Sequence, residues 1–343
     1  MKPASLLLLA CMLTQAAEYS ATRAVADGIE IVRLAQPARG IEVSIVPSIG
    51  NIAYELKVNG KNAFWFPFAN LAEFRKKPAM CGNPLMAPWA NRFDQDAFYA
   101  NGKKYMLNAS LGNLRRDPNQ QPIHGLLLFS PAWEVVSVKV GDRGAEYTAR
   151  LEFWRHPDLM AQFPFAHTIV MTYRLHEGVL EVETALGNHA SEPMPIAVGC
   201  HPYFRLHDAP KEEWSVHIAA SEEPVLSNLL VPTGERKPIS FRNPVSLKGT
   251  EIDTIFTGLH RDASGNAEFY VRGKKEQISV VYGPKYSVAI VYAPVGREFI
   301  CFEPMAAITN AFNLAQQGKY TELQSVPPGG TWRESFWVRV SGF

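Results

Sequence analysis

Short runs of β-branched and aromatic residues, cut at close intervals by turn residues, fill this chain from end to end. Such runs form strands, and the turn residues between them close hairpins. Asn59-Gly60 separates Tyr54–Val58 from Ala63–Phe66, and Asn101-Gly102 separates Ala97–Tyr99 from Lys104–Leu107. Asn-Gly suits a tight hairpin turn because both central positions need a positive φ. Gly141–Gly144 divides Trp133–Val140 from Ala145–Trp154, and Glu177-Gly178 divides Thr168–Leu175 from Val179–Leu186. Further strand-like runs lie at Gly28–Leu34, Ile41–Pro47, Ala53–Val58, Ala267–Val271, Gln277–Tyr282, Ser287–Tyr292, Phe299–Phe302 and Ser335–Val340. Helical patterning is weak. Asn70–Lys77 reads as one short helix, and Ala306–Ala315 carries no apolar stripe. The pattern predicts an all-β chain, a large antiparallel sandwich with one continuous core.

No Gly/Ser-rich or charged linker divides the chain, so residues 18–343 read as a single domain. Segments around 68–96, 108–132 and 221–265 read as long loops, the usual carriers of binding residues on a β scaffold. An apolar fraction of 47% and a charged fraction of 20% exclude a disordered chain. A net charge of +1 supplies no basic face for nucleic acid or for an anionic membrane.

Residues 1–17 read as an export signal: Lys2, the apolar run Ser5–Met12, then small residues at Ala16-Ala17. This places the protein in the periplasm or outside the cell. Lipid attachment at Cys11 is the second reading, and a disordered or buried apolar start is the plain alternative. The run is too short for a membrane-spanning helix, and the mature chain is expected to have no span. Cys81, Cys200 and Cys301 then remain. An odd count leaves at least one free thiol. Buried free thiols are expected, with a Cys200–Cys301 bridge as the alternative.

Five polar residues stand in short segments that pair an apolar or aromatic stretch with Gly or Pro: Arg92, His124, His201, Asp253 and Glu303. Arg92 lies between Trp89-Ala90-Asn91 and Phe93, where its guanidinium can donate a fork of hydrogen bonds. Its ordinary explanation is stacking on Trp89 or pairing with Asp94 or Asp96. His124 precedes Gly125, which admits close approach of a backbone or ligand. Its alternative is a hydrogen bond to a turn carbonyl. His201 follows Cys200 and is walled by Pro202, Tyr203 and Phe204, surroundings that tune an imidazole already titrating close to neutrality. A core His is its alternative. Asp253 alone reads as a loop or cap residue. Glu303 ends the apolar run Phe299–Phe302, where a carboxylate needs a cation or a pocket.

Taken in order, these segments resemble the aldose 1-epimerases, the galactose mutarotase family. The resemblance runs from about Ile41 to Val340. It is carried by Asn91-Arg92 with Phe93 and then Asn101-Gly102, by His124-Gly125, by His201-Pro202-Tyr203-Phe204, by Asp253 with Phe256, and by Glu303-Pro304 with Thr309-Asn310-Ala311-Phe312-Asn313. It implies a β-supersandwich with a sugar in a cleft on its concave face. It implies Glu303 as catalytic base and His201 as catalytic acid, with Arg92, His124 and Asp253 on the sugar. Asn91, Trp89 and Tyr203 are added here as substrate-binding candidates, the two aromatics, with Phe204, as packing for a sugar face. His-Pro-Tyr-Phe and Glu-Pro-Met are similar to divergent members, the hexose-6-phosphate epimerases included.

The implied reaction exchanges α and β anomers by opening and reclosing a hemiacetal. It requires a monosaccharide and no metal, nucleotide or redox cofactor. The alternatives are a hexose-6-phosphate epimerase using Arg75-Lys76-Lys77 or Arg115-Arg116, a non-catalytic secreted carbohydrate-binding protein, and a glycan-cleaving enzyme pairing Glu303 with Asp253. Oligomeric state has no signal in the sequence.

Overall fold

The computed structural model describes residues 18–343. The export signal and Cys11 lie outside the described residues. Strands dominate, and every pairing between named strands is antiparallel. A nine-stranded sheet and an eight-stranded sheet are the largest, accompanied by a five-stranded sheet near the N-terminus and two small ribbons. One large apolar cluster collects side chains from all three main sheets, and two smaller clusters sit beside it. Among the described residues no helix is long and apolar enough to cross a membrane.

Most hairpins form where the turn residues predict them. Ala97–Ala100 pairs with Lys103–Met106 across Asn101-Gly102, both of which take positive φ. His167–His176 pairs with Val179–Asn188 across Glu177-Gly178, again at positive φ. The hairpin at Asn59-Gly60 is shorter than expected. Only Lys61–Asn62 pairs with the preceding strand. The Asn62 side chain accepts from the amides of Leu56 and Phe64, ending the ladder, and Phe64 bridges Phe204 instead.

The segment 221–265 is not a long loop. It holds Ala220–Leu226, Pro232–Pro238, Val245–Ser246 and Ile252–Leu259. Pro232–Pro238 is an edge strand carrying Gly234-Glu235-Arg236-Lys237, so burial left no apolar alternation to read. Asp253 therefore stands on a strand, not on a loop or cap. The expected short helix forms over Leu71–Lys76, with the Asn70 side chain accepting from the Glu73 amide. A helix at Pro157–Gln162 had no apolar stripe to announce it.

The eight-stranded sheet places the polar residues. Asp253 stands opposite Tyr292, Tyr292 opposite Cys301, Ile255 opposite Ile290, and Ile290 opposite Glu303. Directly opposed residues share a face, and residues two apart along a strand share it too. Asp253, Ile255, Ile290, Tyr292, Cys301 and Glu303 therefore lie on one side. Phe256, Val291, Ile300 and Phe302 lie on the other, in the main core. The same parity keeps two thiols apart: Gly199 stands opposite Met305, so Cys200 faces the core while Cys301 faces the other side. Cys81, Cys200 and Cys301 are all free and buried, and burial pushes each thiol up, away from the reactive thiolate.

Candidate active site

A cavity of about 420 Å³ opens on that face, lined by residues that include Asn91, Arg92, His124, His201, Asp253 and Glu303. The five polar residues singled out in the sequence thus converge, although they come from five separate stretches of chain.

Glu303 sits in mid-strand and is only 2% exposed. His201 is also buried, its amide held by the Pro84 carbonyl at 3.0 Å. Its Nε2 lies 3.2 Å from Glu303 Oε1. Tyr203 pairs with Cys301, which places its ring on the cavity face, stacked on the His201 imidazole at 4.7 Å and 8°. Tyr203 therefore fixes the plane of the imidazole as well as lining the cavity.

Burial acts on both members of this pair. It pushes the Glu303 carboxyl well above the usual carboxylate range, with Asp253 adding to the rise and Arg92 opposing it. It pushes His201 down to about 3. Between these two limits the pair therefore holds one proton: His201 takes a second only in strong acid, and Glu303 holds the first past its ordinary range. Desolvation favours that proton on the carboxyl, while the 3.2 Å contact and the Arg92 charge favour the ion pair.

Arg92 and His124 come from two irregular segments that clasp each other. Arg92 bridges Ile123, the His124 amide donates to the Asn91 carbonyl at 2.8 Å, and Phe93 donates to the Pro122 carbonyl at 2.9 Å. Asn91 and His124 both have positive φ, 56° and 62°. Each such non-Gly residue costs of order 1–3 kcal/mol, and such strain clusters at functional sites. Gly125 follows at φ 65°, and a Cβ there would run into the Ala87 carbonyl. That is why this turn requires glycine. His124 meets the His201 ring edge-on at 5.6 Å, and its Nδ1 is inaccessible and lacks a hydrogen-bond partner among the described residues. Burial, then the neighbouring His201 and Arg92, holds it neutral.

Arg92 pairs with neither Asp94 nor Asp96. Its Nε donates to Asp117 Oδ2 at 3.0 Å, leaving its terminal nitrogens available to a ligand. Asp96 instead takes both terminal nitrogens of Arg116, at 2.8 and 2.9 Å. Asp94 accepts from Asn313 Nδ2 at 2.8 Å, so the short helix Ala311–Gln316 braces the Arg92 loop. Asp253 is exposed at the mouth, and its carboxyl is raised by the protein packed round it, with Arg92 opposing.

Two aromatics expected on the sugar lie elsewhere. Trp89 is 1% exposed and stacks on Phe93 at 4.7 Å, because its backbone bridges Ala197 and turns the side chain into the core. Phe204 packs between Phe64 and Phe302. Met80, Leu226, Leu230, Ile255, Ile290 and Tyr292 line the cavity instead. None of them was singled out in the sequence. Strand register puts Tyr292 there, and register is a tertiary property. The arrangement offers a shared proton, a fork donor and two buried imidazoles with lowered basicity against mixed polar and apolar walls, which suits a polyhydroxylated ring.

Comparison with known proteins agrees. A family model described as Aldose 1-epimerase matches residues 31–339. A galactose mutarotase-like protein from Clostridium acetobutylicum superposes with a TM-score of 0.83 at 20% identity, covering 95% of this chain and 99% of that one. A protein from Synechocystis gives 0.72 at 24% identity, covering 94% and 98%. A galactose 1-epimerase from Lactobacillus acidophilus gives 0.70 at 13% identity, covering 95% and 99%. At these identities the likeness is one of fold, the galactose mutarotase-like β-supersandwich.

Proposed function

The chain belongs to the aldose 1-epimerase family, and on that premise we propose that it interconverts the α and β anomers of a free aldohexose by acid/base opening and reclosure of the ring. The observation that carries this reading is the 3.2 Å contact between His201 Nε2 and Glu303 Oε1 on the cavity wall. The anomeric hydroxyl oxygen and the ring oxygen are bonded to one carbon. The group that removes a proton and the group that supplies one must therefore sit side by side.

In the ion-pair form, Glu303 takes the proton of the anomeric hydroxyl and His201 gives one to the ring oxygen. The ring opens to the aldehyde, and the pair is left neutral with its single proton now on Glu303. Burial favours that neutral pair, so the site's desolvation works toward the open-chain state. Rotation about the first carbon–carbon bond and reversal of both transfers give the other anomer. Arg92, His124 and Asp253 hold the ring hydroxyls so that both transfers occur in one geometry. The export signal read at residues 1–17 favours an unphosphorylated sugar, since sugar phosphates are cytosolic metabolites.

One observation favours a second reading, a hexose 6-phosphate. Arg115 is exposed, lies over the Phe129 ring and makes no ion pair with a carboxylate among the described residues. Desolvation by the protein around it lowers its pKa, and it lies near enough to Tyr203 and His124 to interact with both electrostatically. Polarimetry or NMR exchange on fresh α-anomers decides. Faster-than-spontaneous mutarotation of free glucose or galactose supports the first reading, and acceleration confined to hexose 6-phosphates supports the second. No acceleration with either leaves a carbohydrate-binding protein without turnover.

A further inference from the structure

We propose that this cleft is built for the reducing end of a disaccharide or longer oligosaccharide, with the terminal unit in the catalytic cavity and the next unit in an adjoining depression. The proposal rests on the epimerase reading and adds to it the substrate's length.

A second depression, of about 320 Å³, is lined by Glu223, Pro224, Val225, Leu226, Lys237, Asp253, Thr254 and Ile255. It shares Leu226, Asp253 and Ile255 with the catalytic cavity, so the two adjoin at those side chains. The catalytic cavity alone, at about 420 Å³, already falls within the range of roughly 300–1,000 Å³ that holds drug-sized ligands. With the second depression added, the space exceeds the needs of one hexose.

The hairpin between the two spaces is shaped for contact. Strand Ala220–Leu226 pairs with Pro232–Pro238, and a register shift between Pro224 and Leu226 interrupts the ladder. Such a bulge re-aims a side chain, and here Leu226 is brought onto the cavity wall. The tip carries Leu226, Leu229 and Leu230, exposed by 36%, 44% and 43%. Leu230 also takes φ 56°, unfavourable for a bulky side chain. Local bonds hold it there: Leu230 N–H donates to the Ser227 carbonyl and Ser227 N–H to the Val231 carbonyl, both at 2.9 Å. Single exposed leucines are ordinary, but three at one rim, two of them lining the cavity, form an apolar lip. Saccharide rings present C–H faces that pack on such a lip. Lys237, paired with Glu223 at 3.1 Å, and Thr254 supply hydrogen-bonding groups beyond it. The chemistry needs only the reducing-end carbon, so a glycosyl substituent elsewhere on that ring leaves the reacting atoms unchanged.

The test compares glucose with maltose, cellobiose and lactose, each of which has glucose at its reducing end, by anomer exchange on wild type and Val225→Trp. In the wild type, kcat/KM for at least one disaccharide exceeds that of its own reducing-end monosaccharide at least tenfold. In Val225→Trp the bulky ring fills the second depression and the two values converge. Monosaccharides turned over as fast as every disaccharide would overturn the proposal while leaving the epimerase reading in place, and so would a disaccharide advantage that survives Val225→Trp. If no sugar is epimerised, the epimerase reading fails. Calorimetry on the same sugars then still decides cleft length: tenfold tighter disaccharide binding supports the proposal, and equal affinities overturn it.

Discussion

His201 Nε2 and Glu303 Oε1 face each other at 3.2 Å, with side chains only 7% and 3% exposed. Two ionisable groups so placed share one proton, and neither is fully solvated in any protonation state. Glu303→Gln and His201→Asn are each expected to lower kcat by roughly a hundred- to ten-thousand-fold, the range for one positioned proton transfer. Glu303→Gln is also expected to raise the melting temperature, since it removes a carboxylate that burial penalises. Steady-state polarimetry and thermal unfolding measure the two effects. Wild-type turnover in Glu303→Gln would remove the proposed base.

The same pair sets a pH profile. Glu303 is raised and His201 is lowered to about 3. The singly protonated state therefore extends from near pH 3 up to a point well above the ordinary carboxylate range. Acid inactivation comes from the second proton, on His201, and alkaline inactivation from loss of the last one, on Glu303. A kcat/KM profile for the folded enzyme is expected to show no acid limb near pH 6.5. An inflection there would mean that the imidazole is solvated in the free enzyme and that the geometry of the pair is different.

Arg92 owes its aim to Asp117, whose other oxygen accepts from the Gln121 amide at 2.9 Å. Arg92→Lys is expected to raise KM about tenfold or more, because an ammonium cannot pair with Asp117 and also present a fork to a ligand. Asp117→Asn is expected to raise KM in the same direction by less, with kcat falling less than in the Glu303 variants. Equal losses of kcat in Arg92→Lys and Glu303→Gln would assign Arg92 a part in the proton transfers.

The hairpins and the five converging polar residues were legible because their signals are local. Asn101-Gly102 names its turn, and Glu303 after Phe302 announces a carboxylate that needs company. The apolar walls were not legible. Tyr292 reaches the cavity only because Asp253, Tyr292 and Cys301 fall in one cross-strand row, and nothing within any one strand fixes that register. Trp89 misled for the converse reason. An aromatic beside Arg92 reads as a ligand platform, but its parallel bridge to Ala197 turns it inward. The partner of Arg92 was misplaced as well, because the loop that carries Asp117 folds back across the segment instead of the chain pairing with its near neighbours.

Outside the cavity, His167 contributes to acid stability. It is 1% exposed, stacks on Phe153 at 4.2 Å, and its Nδ1 lies 2.7 Å from the Phe165 carbonyl, to which the neutral ring donates. Burial lowers it to about 4, with the carbonyl contact opposing. Between pH 6.5 and 4 the unfolded chain binds this proton and the folded chain does not, so the contribution is complete above pH 6.5 and is lost as pH falls. At about 1.4 kcal/mol for each tenfold change in proton affinity, the loss reaches about 3 kcal/mol by pH 4. Urea unfolding at pH 7 and pH 5 is expected to show a clear fall in the wild type. The fall should be smaller in His167→Phe, which keeps the aromatic packing but has no proton to bind. The remaining slope in that variant combines His201, His124 and His217, which are lowered for the same reason, with the opposite contribution of Glu303, which is raised. An identical slope in the two proteins would show that His167 can charge within the folded chain, and its burial would then carry no pH dependence.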